Sequence, residues 1–209
     1  KLIPYSTPVY KIKAGTTYLD YNNESYKLKI FGDHNLQNIA GAMYVCNFLG
    51  INTSDFCRSI TSFKGASNRL ELIHKSPDSI IFKDFAHSPS KVKATAQAIR
   101  KQFPEKRFIA CFELHTYSSL NPIFLSKYKD TLKNADECYV YYSEKNMKIK
   151  RLEPIDSNLI IKSFNHVNLS VIDNYKKLKE IMYSLDLANS VLVMMSSGKF
   201  GGLDLMKLK

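Results

Sequence analysis

Apolar and polar residues alternate along the N-terminal part of the chain, which is the period expected of strands that bury one face. Three alternating runs rich in β-branched and aromatic residues lie at positions 9–13, 17–21 and 25–30. The short segments between them, Ala14-Gly15 and Asn22-Asn23-Glu24, carry residues typical of tight turns. The pattern predicts a small antiparallel meander.

A helical period follows the break at Phe31-Gly32-Asp33-His34. It predicts a helix that begins at Asn35 and is ended by Gly50, a residue suited to the left-handed position after a helix. A second, short helix is predicted at 54–60, with Ser54 as its N-cap. Two helices are therefore expected to follow the meander.

Farther along, short apolar runs alternate with helical patterns. Strands are predicted at 70–74, 80–82, 107–113, 137–142, 169–171 and 190–195. Helices are predicted at 89–103, 122–134 and 174–184, with a basic loop at 145–151 and no clear pattern at 159–164. This alternation is typical of an α/β fold with a doubly wound, mostly parallel, Rossmann-like sheet from about residue 78 onward. The change of pattern places a domain boundary near Gly65.

The 209 residues carry 30 Lys and Arg against 19 Asp and Glu, a net charge of +11. This balance is compatible with nucleic acid, an anionic membrane surface or a phosphate-rich substrate. The densest basic cluster, Lys145, Lys148, Lys150 and Arg151, is interpreted as a solvated run. Charge alone therefore selects no partner.

The cysteines Cys46, Cys57, Cys111 and Cys138 show no CxxC spacing, which favours a reduced, cytoplasmic protein without structural zinc. No apolar run is long enough to span a bilayer, and the first residues do not resemble a signal peptide. The sequence begins at Lys1 rather than Met, so we expect a fragment or a processed product.

Polar clusters lie at predicted strand ends or helix starts, at 32–38, 65–71, 84–89, 115–119 and 196–202. Strand ends converge on one edge of a doubly wound sheet, so several of these clusters are expected to share a cleft. Each has a structural alternative as well as a functional one.

Asn35 and Asn38 could cap the helix or bind adenine, and Arg69 could pair with Glu71 or bind phosphate or ribose. Asp84 could cap the next helix, in which case His87 would be a solvated loop residue. His115 could be a histidine at the edge of the core. Ser197-Gly198-Lys199 lacks the GxxxxGK spacing and is rejected as a phosphate loop.

Taken together, these segments resemble the ATP-dependent Mur ligases. Gly32 through Ala42 resembles their G-x-H-N-x-x-N-x-x-A-A segment, and Phe63 through Glu71 their F-x-G-x-x-x-R-x-E segment. Asp84-Phe85-Ala86-His87-Ser88-Pro89 is similar to the D-[YF]-[GA]-H-[HS]-P loop of the branch that works on UDP-N-acetylmuramate. Met195 through Leu203 resembles the M-S-N-G-x-F-G-G-I ending of the murein tripeptide ligases.

The resemblance implies an ADP-forming enzyme that joins an amino acid or peptide to UDP-N-acetylmuramate through an acyl phosphate, with ATP and Mg²⁺. It implies a nucleotide-binding role for His34, Asn35, Asn38, Arg69 and Asp84. It implies a role in binding the incoming amine component for His87, His115, Ser118, Ser196 and Ser197. It favours the murein tripeptide ligase of peptidoglycan recycling, with the L-alanine ligase of peptidoglycan synthesis as the alternative.

The chain departs from the family pattern in two respects. It lacks the P-loop and the Mg²⁺ ligands, so we expect residues 1–64 to be the last part of the central ATPase domain and residues 65–209 the C-terminal domain. No catalytic residue is assigned, and the fragment alone is expected to be inactive. The loop at 113–119 has His115, Thr116 and Ser119 where the two named ligases carry arginines, which leaves the incoming amino acid or peptide undefined.

A hypothesis of another class remains, a non-catalytic basic module that binds a nucleotide or nucleic acid. Against nucleic acid, the sequence has no RNP-like aromatic pair and no helix-turn-helix signature. The partners expected from the resemblance are UDP-N-acetylmuramate, the amine donor and the missing domains of the same chain, with no nucleic acid and no membrane.

Overall fold

The computed structural model describes residues 2–208 and opens with the predicted meander. Strands β1 (Tyr10–Lys13), β2 (Thr16–Tyr21) and β3 (Glu24–Lys27) pair antiparallel in chain order. Both tight turns place two successive residues at positive φ, Ala14-Gly15 and Asn22-Asn23. Such turns match the right-handed twist of a hairpin, which is why these residue types marked them in the sequence.

Helices α1 (Asp33–Phe48) and α2 (Thr53–Ile60) cover the meander and form a small core with it. Gly50 has a φ of 86°, as predicted for the residue after a helix. The helix starts were predicted wrongly. Helix α1 begins before Asn35, and the cap of α2 is Asn52, whose side chain accepts the Asp55 amide at 2.9 Å, rather than Ser54.

The second sheet has six strands in the order β4-β5-β9-β6-β7-β8. Strand β4 is an antiparallel edge, and the other neighbouring pairs are parallel, which confirms the predicted mostly parallel sheet. The strands are β4 (Glu71–Lys75), β5 (Ser79–Asp84), β6 (Arg107–Glu113), β7 (Glu137–Tyr141), β8 (Leu169–Ile172) and β9 (Ser190–Met195). Because β9 lies between β5 and β6, the loops after these three strands are neighbours.

Helices cover both faces of this sheet, so the doubly wound arrangement is also confirmed. One face carries α3 and α6, and the other carries α7 and the C-terminal 3-10 turns. The helices are α3 (Pro89–Gln102), α4 (Pro122–Leu125), α5 (Glu144–Ile149), α6 (Ser157–Phe164) and α7 (Tyr175–Ser184).

Two predictions in this half were wrong, and one stretch left without an assignment is helical. The helix expected at 122–134 is the short α4 and a 3-10 turn, and the chain turns at Asp130, which has a φ of 58°. The basic loop at 145–151 contains α5, capped by Ser143, and the stretch at 159–164 lies in α6, capped by Asp156. These caps satisfy the free amides of the first helical turn.

The meander and the large sheet meet at α3. Thr17 Oγ1 donates a hydrogen bond to Gln102 Oε1 at 2.9 Å, and both side chains are buried. Phe31 packs edge-to-face on Phe82 and Phe103, with ring centroids 5.3 and 5.7 Å away. The boundary near Gly65 stays a prediction. No helix in the described part of the chain is both long and apolar enough to cross a membrane.

Candidate functional site

The carboxyl ends of β5, β9 and β6 form one edge of the large sheet. Asp84 is in register with Met195, and Phe112 is in register with the same residue on the other side. The Ser196 amide donates to the Asp84 carbonyl at 2.9 Å, which ties the end of β9 to the end of β5. The polar loops after these strands, at 85–88, 114–121 and 196–202, therefore adjoin one another.

Two adjoining clefts are lined by the residues predicted to bind nucleotide. A largely apolar cleft of about 510 Å³ is lined by Asn35, Asn38 and Arg69 together with residues such as Ile30 and Phe63. A smaller cleft of about 270 Å³ is lined by His34, Asn38, Arg69 and Asp84. Asn38 and Arg69 belong to both clefts, so the five residues surround one continuous region of the surface.

The start of α1 is held close to α3, which places His34 and Asn38 over the smaller cleft. Gly32 has a φ of 91°, and a Cβ there would lie 2.8 Å from the Ala98 Cβ. Glycine is therefore required both for the backbone conformation and for the close approach of the two helices. The Asn35 Nδ2 donates to the Phe31 carbonyl at 2.9 Å, so this side chain also closes the first turn.

Asp84 is buried and organises the turn that carries Arg69. Its carboxylate accepts the Leu70 amide at 2.8 Å and the Ala86 amide at 2.6 Å. Burial raises the pKa of Asp84, against the opposing effects of those amides and of His34 and Arg69. The alternative in which Asp84 caps the next helix is wrong, because Ser88 is the N-cap of α3.

His34 lies between opposite charges in a partly buried position. Burial lowers its pKa below the ordinary histidine value and Arg69 acts in the same direction, whereas Asp84 and Asp33 oppose the shift. The imidazole is consequently neutral at neutral pH and can accept one hydrogen bond while donating another. This property suits a heterocyclic or hydroxyl ligand.

The alternative ion pair between Arg69 and Glu71 is wrong within residues 2–208. The Glu71 carboxylate instead accepts the Asn68 amide at 2.8 Å. Asn68 and Leu70 both have positive φ, at 57° and 43°, so Arg69 is presented from a sharply folded turn. Arg69 thereby reaches both clefts.

His87 does not line either of these clefts. Its Nδ1 lies 2.9 Å from the Phe85 carbonyl, and its ring packs edge-on against the Phe85 ring at 5.2 Å between centroids. The His87 carbonyl accepts the Tyr128 hydroxyl at 2.6 Å. These contacts fix the loop after β5 and leave Nε2 as the ring nitrogen for a ligand. The role in binding the amine component stays a prediction.

Glu113, at the end of β6, is a buried carboxylate that the sequence reasoning missed. It accepts the Ser196 hydroxyl and, at 2.9 Å, the Phe200 amide, so it holds the loop after β9. His115 Nδ1 lies 3.5 Å from the Glu113 carboxylate. An acid that directly follows the apolar run 108–112 was the available signal.

The two serines predicted at the end of β9 differ in their surroundings. Ser196 is buried, and its hydroxyl both donates to Glu113 and accepts the Gly198 amide at 2.6 Å. The Ser197 hydroxyl oxygen is buried without a hydrogen-bond partner among the described residues. Buried hydroxyl groups are normally paired, so Ser197 is the freer of the two to meet a ligand.

Hydroxyl groups within the loop after β6 form hydrogen bonds that stabilise its conformation. Ser119 is buried and donates to the Thr116 carbonyl at 3.0 Å, while the Thr116 and Ser118 hydroxyls lie 3.1 Å apart. Lys150, from the region read as a solvated run, donates to the His115 carbonyl at 2.7 Å. The structure therefore attaches one of the basic residues to a predicted site loop.

Within residues 2–208, no group of three or more His, Cys, Asp and Glu side chains is arranged to hold a metal ion. Asp84, which lines the smaller cleft, and Glu113, at a neighbouring strand end, are already accepting hydrogen bonds from the chain. The described residues do not form a fitting Mg²⁺ site, and no metal-dependent step is assigned to them.

Residues 68–198 match the family described as Mur ligase, glutamate ligase domain. A curated relative, the UDP-N-acetylmuramate–L-alanine ligase of Christiangramia forsetii, is 26% identical over 204 residues, covering 94% of this chain and 44% of the relative. The chain therefore spans less than half the length of this relative.

Solved structures share the fold. The UDP-N-acetylmuramate-alanine ligase of Thermotoga maritima has a TM-score of 0.70 at 17% identity, over 93% of this chain and 42% of that one. The MurF ligase of Thermotoga maritima, solved in complex with ADP, has a TM-score of 0.64 at 17% identity. The match covers 92% of this chain and 42% of that one. With the family match covering more than half of its residues, this chain belongs to the Mur ligase family.

Proposed function

We propose that this chain is the C-terminal part of an ATP-dependent ligase that joins an amino acid or peptide to UDP-N-acetylmuramate in peptidoglycan synthesis or recycling. The observation that carries the proposal is the pair of adjoining clefts lined by His34, Asn35, Asn38, Arg69 and Asp84. We further propose that residues 1–64 complete a central ATPase domain, that residues 65–209 form a separate domain, and that the reaction takes place in the cytoplasm.

We assign the larger cleft to the adenine ring of ATP and the smaller cleft to its ribose and phosphates. The first combines apolar walls with the amide groups of Asn35 and Asn38, which can match the donor and acceptor of an adenine edge. The second contains the Arg69 guanidinium, a good partner for phosphate oxygens. The ADP complex of the structurally similar MurF ligase supports this choice of nucleotide.

The proposed reaction has two steps. A carboxylate oxygen of the muramate attacks the γ-phosphorus of ATP, the bond to the ADP oxygen breaks, and an acyl phosphate forms. The nitrogen of the incoming amine then attacks the acyl carbon, phosphate leaves, and the surplus amine proton passes to water or a nearby base. Positioning and charge stabilisation supply most of the rate enhancement in such phosphoryl transfers. We place the Mg²⁺ ligands and the P-loop in the part of the protein that precedes this chain.

Two amine donors compete, and both present the amine of an L-alanyl unit. The resemblance of the Ser196 to Leu203 ending favours the tripeptide L-alanyl-γ-D-glutamyl-meso-diaminopimelate. The curated relative from Christiangramia forsetii is named for L-alanine. Full-length protein, supplied with ATP and UDP-N-acetylmuramate, should release ADP when one of these donors is added. Absence of turnover with both would contradict the proposed function.

The assignment of the nucleotide clefts predicts a selective effect of Asn38→Leu in the full-length enzyme. Loss of the amide should raise the KM for ATP about tenfold or more, as expected for one lost hydrogen bond to a buried ligand. The KM for the amine donor should change less than twofold. Asn158→Leu, on the exposed surface of α6, is the matched control and should leave both constants unchanged.

A further inference from the structure

Lys150 joins the end of α5 to the loop that follows β6. Its ammonium group donates to the His115 carbonyl at 2.7 Å and lies 4.4 Å from the centre of the Tyr117 ring. Both contacts come from the same short loop and hold the charge in a fixed position. A carbonyl acceptor and an aromatic face are each favourable neighbours of an ammonium group.

This ammonium keeps donors for a ligand. A lysine has three N–H groups, and one of those of Lys150 is directed at the His115 carbonyl. No carboxylate within residues 2–208 lies within 4.0 Å of the Lys150 ammonium. A half-buried positive charge without an acidic partner is suited to an anionic ligand.

The surrounding loops provide hydroxyl groups. Thr116 and Ser118 stand beside His115 and Tyr117, and the Glu113 carboxylate accepts the Ser196 hydroxyl and the Phe200 amide. A Cβ at Gly198 would lie 2.6 Å from His115 Nδ1, so the loop after β9 reaches the residue that Lys150 holds. Lys150 thus lies at the same strand-end edge as Ser196 and Ser197.

We propose that Lys150 binds a free carboxylate of the incoming amine donor and so determines its selection. The inference rests on the proposed function, because an amino acid or peptide donor necessarily carries a carboxylate besides its amine. One charge-assisted hydrogen bond from the ammonium, supported by the neighbouring hydroxyl groups, holds that carboxylate. Tyr117 and the His115 carbonyl keep the ammonium oriented before the donor arrives.

The test compares Lys150→Met with wild-type full-length enzyme on the amine donor that the wild type uses. Methionine keeps most of the apolar stem and removes the charge. The KM for the donor should rise about tenfold or more, and the KM for ATP should change less than twofold. Lys150→Arg should restore much of the affinity. Lys148 is an exposed lysine of α5, and Lys148→Met is the control that should behave as wild type.

A second donor separates carboxylate binding from a structural role. Wild type should prefer the donor over its carboxamide analogue, such as L-alanine over L-alaninamide, and Lys150→Met should lose most of that preference. An unchanged donor KM, or an equal loss for carboxylate and carboxamide, would overturn the role of Lys150 while leaving the ligase proposal intact. If the wild type ligates neither L-alanine nor the tripeptide, the proposed function fails and this inference fails with it.

Discussion

At the level of single residues, two buried carboxylates at strand ends act on the backbone of the loops. Asp84 accepts the amides of Leu70 and Ala86, and Glu113 accepts the amide of Phe200. Each carboxylate therefore fixes a loop that carries a candidate ligand-binding residue. Hydrogen bonds to a charged acceptor are stronger than neutral ones, so these loops are held firmly before any ligand arrives.

His34 makes the stability of the folded protein depend on pH, and its surroundings determine the direction of that dependence. Burial holds the pKa of its imidazole below the ordinary value, with Arg69 acting the same way and Asp84 and Asp33 opposing. The unfolded chain therefore binds a proton more readily than the folded one. The stability associated with neutral His34 is complete above the ordinary histidine pKa and is lost as the pH falls toward the lowered value.

We predict that the melting temperature of the full-length protein falls more between pH 7.5 and pH 5.5 in wild type than in His34→Gln. The variant stays neutral and keeps a hydrogen-bonding side chain. The raised pKa of Asp84 acts in the opposite direction, and His34 opposes that rise, so the comparison reports on the coupled pair His34 and Asp84. Equal acid sensitivity of the two proteins would contradict the prediction.

At the level of elements, one glycine determines how α1 meets α3. Gly32 and Gly50 flank α1 and have similar φ values, 91° and 86°. A Cβ at Gly32 would lie 2.8 Å from Ala98, whereas a Cβ at Gly50 would meet nothing within 4 Å. Alanine at either position would therefore be strained by the positive φ. Only at Gly32 would its Cβ also clash with a neighbouring side chain.

We predict that Gly32→Ala destabilises the protein clearly more than Gly50→Ala, whose cost should be about 1 kcal/mol. Gly32→Ala should also raise the KM for ATP, because it moves His34 and Asn38 away from Arg69. Hydrogen exchange of α1 peptides reports the first effect, and steady-state kinetics of the full-length enzyme reports the second. Equal effects of the two substitutions would show that the close approach to α3 is unimportant.

At the level of the whole molecule, polar contacts join the meander and its helices to the large sheet. The buried Thr17–Gln102 hydrogen bond links β2 to α3, and Lys101 of the same helix contacts Asp33 at 3.3 Å. The candidate nucleotide clefts take residues from both sides of this joint. Their shape consequently depends on how firmly the meander and its helices are held against the large sheet.

A double-mutant cycle of Thr17→Val and Gln102→Met should give a coupling energy of about 1 kcal/mol, the usual net value of a buried hydrogen bond. The opening free energy of β2 and α3 peptides, from hydrogen exchange of the full-length protein, is the quantity to compare. The half-exposed pair Lys11 and Asp20, cycled to alanine, is the control and should couple more weakly, because solvent screens an ion pair at the surface. A Thr17–Gln102 coupling no larger than the control would contradict a structural role at the joint.

The sequence alone determined the large regular elements and the order of the motifs. Residues 191–195 form a continuous apolar run, and β9 spans 190–195 as predicted, because a strand buried on both faces needs such a run. The prediction of a helix at 122–134 was wrong because the turn of the chain at Asp130 hardly changes the hydrophobic pattern. Helix α5 was missed because its charged residues conceal a single buried residue, Met147.

Which polar residues meet depends on the tertiary fold. The insertion of β9 between β5 and β6 makes neighbours of Asp84, Ser196 and Glu113, and no sequence period encodes that strand order. The contact between Lys150 and His115 likewise joins residues from different elements, so a residue that looked like ordinary surface charge acquires a fixed place at a candidate site. Local pattern specifies elements through burial and turn chemistry, whereas a binding site depends on contacts between residues distant in sequence.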